Sequence, residues 1–140
     1  MSVKFKASVR VNPRDLSLPR KYYAQIINGD NINFDDLADI ISKVSNLNYG
    51  QVVGALGSLI EVIEMQLKHG RQVHLGSLGT LYLTLSSEGV DEVSDLSSND
   101  IKKASIRFRP GKRLKRLTKT LEFEKVSDYS DEQDTQQDAA

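Results

Sequence analysis

The chain has no cysteine among its 140 residues. That excludes disulfides and thiolate chemistry, and it suits a reducing compartment. No apolar run approaches the roughly eighteen residues that a membrane-spanning helix requires. The opening segment, MSVKFKASVRVNPRDL, carries no apolar stretch of signal-peptide type, so a cytoplasmic location is expected. Histidine is scarce: His69 and His74 are the only two. With no cysteine and no carboxylate at ligand spacing, they do not suggest a metal centre. No Ser/His/Asp or paired-carboxylate arrangement is recognisable. Neither an enzyme, a cofactor nor a small-molecule substrate is expected.

Net charge is also missing, because 19 basic residues balance 19 acidic ones. The balance is uneven along the chain. Residues 1–21 hold Lys4, Lys6, Arg10, Arg14, Arg20 and Lys21 against Asp15. In RFRPGKRLKRLTK, residues 107–119, seven of thirteen residues are basic. Residues 128–140 hold five acids and no base; without them 19 basic groups face 14 acidic ones, or +5. Such asymmetry points to a polyanionic partner or an internal electrostatic contact.

The hydrophobic pattern divides the chain into segments. Residues 2–11 alternate, with Val3, Phe5, Ala7, Val9 and Val11 on one face and Lys4, Lys6, Ser8 and Arg10 on the other. This is a half-buried strand, and its basic face of Lys4, Lys6 and Arg10 is of the kind that protects a sheet edge, with contact to a polyanion as the alternative. KYYAQIIN predicts a second strand before the turn NGDN. Asn33 is a helix N-cap ahead of Phe34, Leu37, Ala38, Ile41 and Val44. Asn48, with Gln51 three residues on, opens a second helix whose stripe runs Val52, Leu56, Leu59, Ile60, Ile63 and Leu67 to Gly70. Strands are predicted near 72–76, 79–85 and 103–109, with an acidic loop at 86–100. A last helix, KRLKRLTKTLEF, carries Leu114, Leu117 and Leu121 on its apolar side. Gly76 and Gly79 suit a tight strand connection better than a phosphate cradle, since no helix N-terminus follows. The tail from Ser127 has no apolar periodicity and is expected to be disordered.

Two motifs stand in order within this framework. VHLGSLGTLYL (73–83) resembles a stretch ending Gly-Phe-Gly-Thr-Phe, with Leu78, Gly79, Thr80 and Leu81 on its last four positions and Ser77 at its first glycine. FRPGKRLK (108–115) resembles Phe-x-x-Gly-Lys-x-Leu-Lys. On these marks, residues 33–121 resemble the HU/IHF family of bacterial histone-like DNA-bending proteins, in an HU-related branch with an N-terminal extension. The resemblance implies an α+β fold: a helical hairpin, a small antiparallel sheet and a C-terminal basic helix, in an intertwined homodimer. The many apolar residues of so small a protomer independently ask for a partner. The implied division is a strand extension at 1–32, the HU-like domain at 33–126 and the acidic tail at 127–140.

One region departs from the family. DNA-bending members carry a basic arm tipped by Arg-Asn-Pro. Here Tyr82–Ser105 has no proline and no arginine, and holds Glu88, Asp91, Glu92, Asp95 and Asp100 against Lys102 and Lys103. An acidic segment does not lie along phosphates in the same way, and the intercalating wedge is absent. The expected function is therefore nucleoid-associated binding of double-stranded DNA through phosphates, with little sequence preference. The expected contacts are Lys102, Lys103, Arg107, Arg109, Lys112, Arg113, Lys115, Arg116 and Lys119. The alternative is a protein-interaction scaffold that keeps the HU-like dimer without bending DNA. Tyr22 and Tyr23 are expected to serve strand packing.

Overall fold

Local sequence signals account for the two longest helices. In the computed structural model, which describes residues 1–127, the elements are β1 (Val3–Arg10), β2 (Lys21–Ile26), α1 (Phe34–Ser45), α2 (Tyr49–Lys68), β3 (Val73–His74), β4 (Gly79–Ser87), β5 (Ile101–Pro110), α3 (Lys112–Thr120) and β6 (Phe123–Ser127). The expected disordered tail lies outside the described residues from 128 onward. The class is α+β, with three helices and two three-stranded sheets among the described residues. The chain forms two units: Met1–Asn31 with the segment from Thr120, and Ile32–Lys119.

Both expected helix caps are present. The Asn33 side chain accepts from the Asp36 amide at 2.9 Å, and the Asp36 carboxylate accepts from the Asn33 amide at 3.4 Å. Asn48 and Gln51 repeat this reciprocal box at 2.8 and 3.1 Å. Each box satisfies amides that the first turn leaves without helical partners. Between the helices Asn46 takes the left-handed conformation, φ 58°, which asparagine tolerates better than most residues. The Tyr49 hydroxyl donates to Asp35 at 3.1 Å and ties the hairpin; that bond raises the Tyr49 pKa. α2 ends at His69 and Gly70, where Gly70 has φ 72°. The His69 Nδ1–H donates to the Met65 carbonyl at 2.8 Å, so the ring serves the helix end.

In the Ile32–Lys119 unit the sheet order is β3-β4-β5, antiparallel throughout. β3 is shorter than expected because Gly76, at φ 61°, turns the chain, and Leu75 and Gly79 close the connection at 2.8 Å. The β4–β5 register sets Leu81, Leu83 and Leu85 opposite Phe108, Ile106 and Ala104 on one face. The other face pairs Thr80, Tyr82 and Thr84 with Arg109, Arg107 and Ser105. The core is small: Ala38, Val52 and Leu67 are the buried apolar residues. Leu59 and Ile60 of the α2 stripe stay exposed. Ile60, Ile63, Leu67, Leu83 and Ile106 line an open apolar hollow of ≈ 420 Å³.

The other unit differs from expectation in two ways. Helix α3 stops at Thr120 instead of continuing through Phe123, and β6 follows. β6 runs parallel to β1, pairing Val3 with Phe123 and Lys4 with Glu124. The strand order is β2-β1-β6, so β1 is central, not an edge. Its lysines therefore do not guard a sheet edge. Both departures have one cause, a partner strand that lies more than a hundred residues away in sequence.

Candidate nucleic-acid interface

The basic run begins on β5. Side chains alternate along a strand, so Lys103, Arg107 and Arg109 share the polar face with Tyr82. Arg109 is held there by a ring: its guanidinium carbon lies 5.2 Å from the centre of Tyr82. An exposed cation–π contact of this kind contributes roughly 0.5–1 kcal/mol and fixes the plane of the guanidinium. Lys102 points the other way. Its ammonium lies 2.7 Å from Glu88, so it is separated from Lys103 and paired with an acid of the connection.

Gly111 alone separates β5 from α3. Its amide donates to the Leu78 carbonyl at 2.9 Å, and its own carbonyl accepts from Lys115 at 3.0 Å. A Cβ at Gly111 would meet the Ser77 carbonyl carbon at 2.6 Å. Gly79 is equally confined, because a Cβ there would lie 2.5 Å from the Arg109 carbonyl oxygen and 2.6 Å from the Phe108 ring. The two glycines of the sequence motifs thus let the β3–β4 turn and the β5–α3 junction meet. That contact sets where the basic helix starts.

At 3.6 residues per turn, Lys112, Arg113, Lys115, Arg116 and Lys119 fall within an arc of roughly 160°. Leu114 and Leu117 occupy the opposite side. The cations oppose helix stability. Lys112 and Arg113 sit in the first turn, where the dipole is positive, and no acid is present there. Lys112–Arg116 and Lys115–Lys119 are like-charge pairs at i,i+4. Local rules of this kind are broken most often at functional sites.

The connection at 88–100 is built locally, with short 3-10 turns at Val93–Asp95 and Ser98–Asp100. Asp100 accepts from the Ser97 amide at 2.7 Å and from its hydroxyl at 3.2 Å. Sequence reasoning did not identify Tyr82 as part of the site. The signal was available in the hairpin register, which puts Tyr82 opposite Arg107. His74 is accounted for by its contact with the Thr80 hydroxyl, 3.0 Å away. Among the described residues no cluster of His, Asp or Glu could hold a metal ion, and no helix is long and apolar enough to cross a membrane.

A family model described as HU-HIG, "HU domain fused to wHTH, Ig, or Glycine-rich motif", matches residues 1–125. No curated protein matches the chain. Among solved structures, the chain is similar to a "Putative bacterial DNA binding protein" from Bacteroides vulgatus, with a TM-score of 0.65 and 15% identity. The match covers 91% of this chain and 50% of the other, so the chain spans half the length of that protein. At this identity the likeness establishes a shared fold.

Proposed function

The chain belongs to the HU-HIG family, and on that premise we propose that it binds double-stranded DNA, mainly through phosphates and with little sequence preference. The observation that carries this reading is the run of seven cations in residues 107–119, set on β5 as Arg107 and Arg109 and on α3 as one arc. Among the described residues nothing marks a groove-reading helix. The name of the Bacteroides vulgatus structure points the same way. A nucleoid location follows from the reading.

The binding unit in this proposal is a homodimer. With three buried apolar side chains among the described residues, a protomer leaves Leu59, Ile60, Leu83, Ile106 and Phe108 exposed. A second copy laid on the α2 stripe and the apolar sheet face removes that surface from water, at about 25 cal/mol per Å². Light scattering at micromolar concentration should give about 31 kDa, twice the 15.6 kDa chain. A monomer would remove the two-subunit surface from the proposal.

The test of DNA binding is a titration of random duplex at several salt concentrations. If about five phosphates are neutralised, log affinity should fall with log salt at a slope of about −4 to −5. A slope near zero would reject phosphate binding. It would favour a second reading, in which the HU-like dimer is a protein scaffold. The observation behind that reading is the acidic 88–100 connection, where DNA-bending relatives have a basic arm. Sharp bending is not part of the proposed function, since the segment has no proline wedge.

A further inference from the structure

The N-terminal sheet carries a second basic surface that the α3 site does not use. Alternation along β1 puts Lys4, Lys6 and Arg10 on one face, joined by Lys21 and Tyr23 from β2. Val3, Phe5, Ala7 and Val9 take the other face with Tyr22, Ala24 and Ile26. From β6, Glu124 lies beside Lys4 on the polar side and accepts from the Ser2 hydroxyl at 2.9 Å. Four bases and one acid leave the face with a formal charge of +3.

The ordinary explanation for lysines on a strand is protection of an open edge. It does not apply here, because β1 is hydrogen-bonded on both sides, to β2 and to β6. Residues two apart on a strand are about 6.6 Å apart, so Lys4 and Lys6 set two like charges close together on a strand that has no edge to defend. The arginine is also presented in a specific way. Its guanidinium carbon stands 5.3 Å from the centre of the Tyr23 ring, as Arg109 stands 5.2 Å from Tyr82 on the other sheet. At the hairpin end Arg10, Lys21 and Tyr23 line a half-open hollow of ≈ 510 Å³, with Val11, Asn12, Leu18 and Pro19 as its remaining wall. Two cations beside a ring, at the end of a row of further cations, form a seat for an extended polyanion.

We propose that this face, from Lys4 to the Arg10–Lys21–Tyr23 hollow, is a second phosphate-binding surface for duplex DNA, separate from Arg107, Arg109 and α3. The choice of DNA as the polyanion rests on the DNA-binding reading above. The arginine-on-tyrosine device common to both sheets supports the same ligand for both. Residues 1–21 thereby gain a role for their excess of base over acid.

The experiment uses the full chain and a fluorescent random duplex, read by anisotropy between about 50 and 200 mM salt. The triple variant Lys4→Gln, Arg10→Gln, Lys21→Gln should shift the log–log slope toward zero by two to three units, at about 0.9 per lost contact. It should weaken binding at least tenfold at the lower salt. An unchanged slope in this variant, alongside a flatter slope in Arg113→Ala/Arg116→Ala, would overturn the second surface and leave the proposed function standing. A wild-type chain that does not bind duplex would overturn both. Loss of binding to polyglutamate with no change on duplex would assign the face to an acidic protein and overturn the DNA assignment. Acetylation footprinting of the wild-type chain guards against a folding defect in the triple variant. Duplex should protect Lys4 and Lys21 several-fold, and equal labelling with and without DNA would overturn the proposal.

Discussion

Replacing Lys112 with Glu should stabilise the folded chain and weaken its hold on DNA, two effects of opposite sign from one side chain. Lys112 is the first residue of α3, and Gly111 before it has no side chain to cap the helix. A carboxylate there meets the positive end of the dipole, worth about 0.3–1 kcal/mol. It also turns the 112–115 and 112–116 repulsions into attractions in the favourable orientation, each worth about 0.2–0.5 kcal/mol. All three groups are exposed, so solvent and salt reduce the sum to about 1 kcal/mol. Urea unfolding should therefore show a higher midpoint at an unchanged m-value. Anisotropy titration should show at least tenfold weaker duplex binding at low salt and a salt slope flatter by about 0.9. A variant that is less stable than the parent would refute the account of α3 as a helix strained by its own charge. Unchanged affinity would place Lys112 away from the phosphates.

Gly79→Ala should cost about 2–4 kcal/mol in urea unfolding, because the new Cβ meets a carbonyl and a ring at a φ of 151°; a loss under about 1 kcal/mol would show that the turn and β5 can separate freely. Asn33→Ala and Asn48→Ala should each cost about 1 kcal/mol in the same assay, with α1 and α2 losing their reciprocal caps. Tyr82→Leu keeps the strand but removes the support under Arg109. Duplex affinity should fall roughly two- to five-fold, matching about 0.5–1 kcal/mol, with the salt slope unmoved because no charge is lost. A changed slope would mean that the ring positions more than one cation.

What could be read from the sequence was local. Asn33 with Asp36, and Asn48 with Gln51, carry their own partners within one turn, so α1 and α2 match expectation closely. The two sheet strands that build the polar face were legible because alternation needs only the strand itself. What was missed depended on distance. β6 was not expected: Phe123 reads as the end of a leucine-striped helix, since nothing near it announces β1 as its partner. The same gap made β1 look like an edge. Tyr82 was missed because its place beneath Arg109 depends on the hairpin register across residues 88–100. Lys102 and Lys103 read alike as neighbours, and only the pleat and Glu88 separate them. Tyr22 and Tyr23 looked equivalent too, but they face opposite sides of their sheet and only Tyr23 supports an arginine.

The parallel pairing of β6 with β1 gives the chain a temporal order. Residues 1–26 leave the ribosome long before residues 123–127 are made. Until then the hairpin of β1 and β2 has one side of its central strand unpaired, and two-stranded hairpins are marginal in water. The helical hairpin and the β3–β5 sheet close over short sequence distances, which favours their early formation. Residues 1–26 are therefore among the last of this segment to settle. A nascent chain halted between α3 and β6 would expose an apolar β-edge that the finished chain covers.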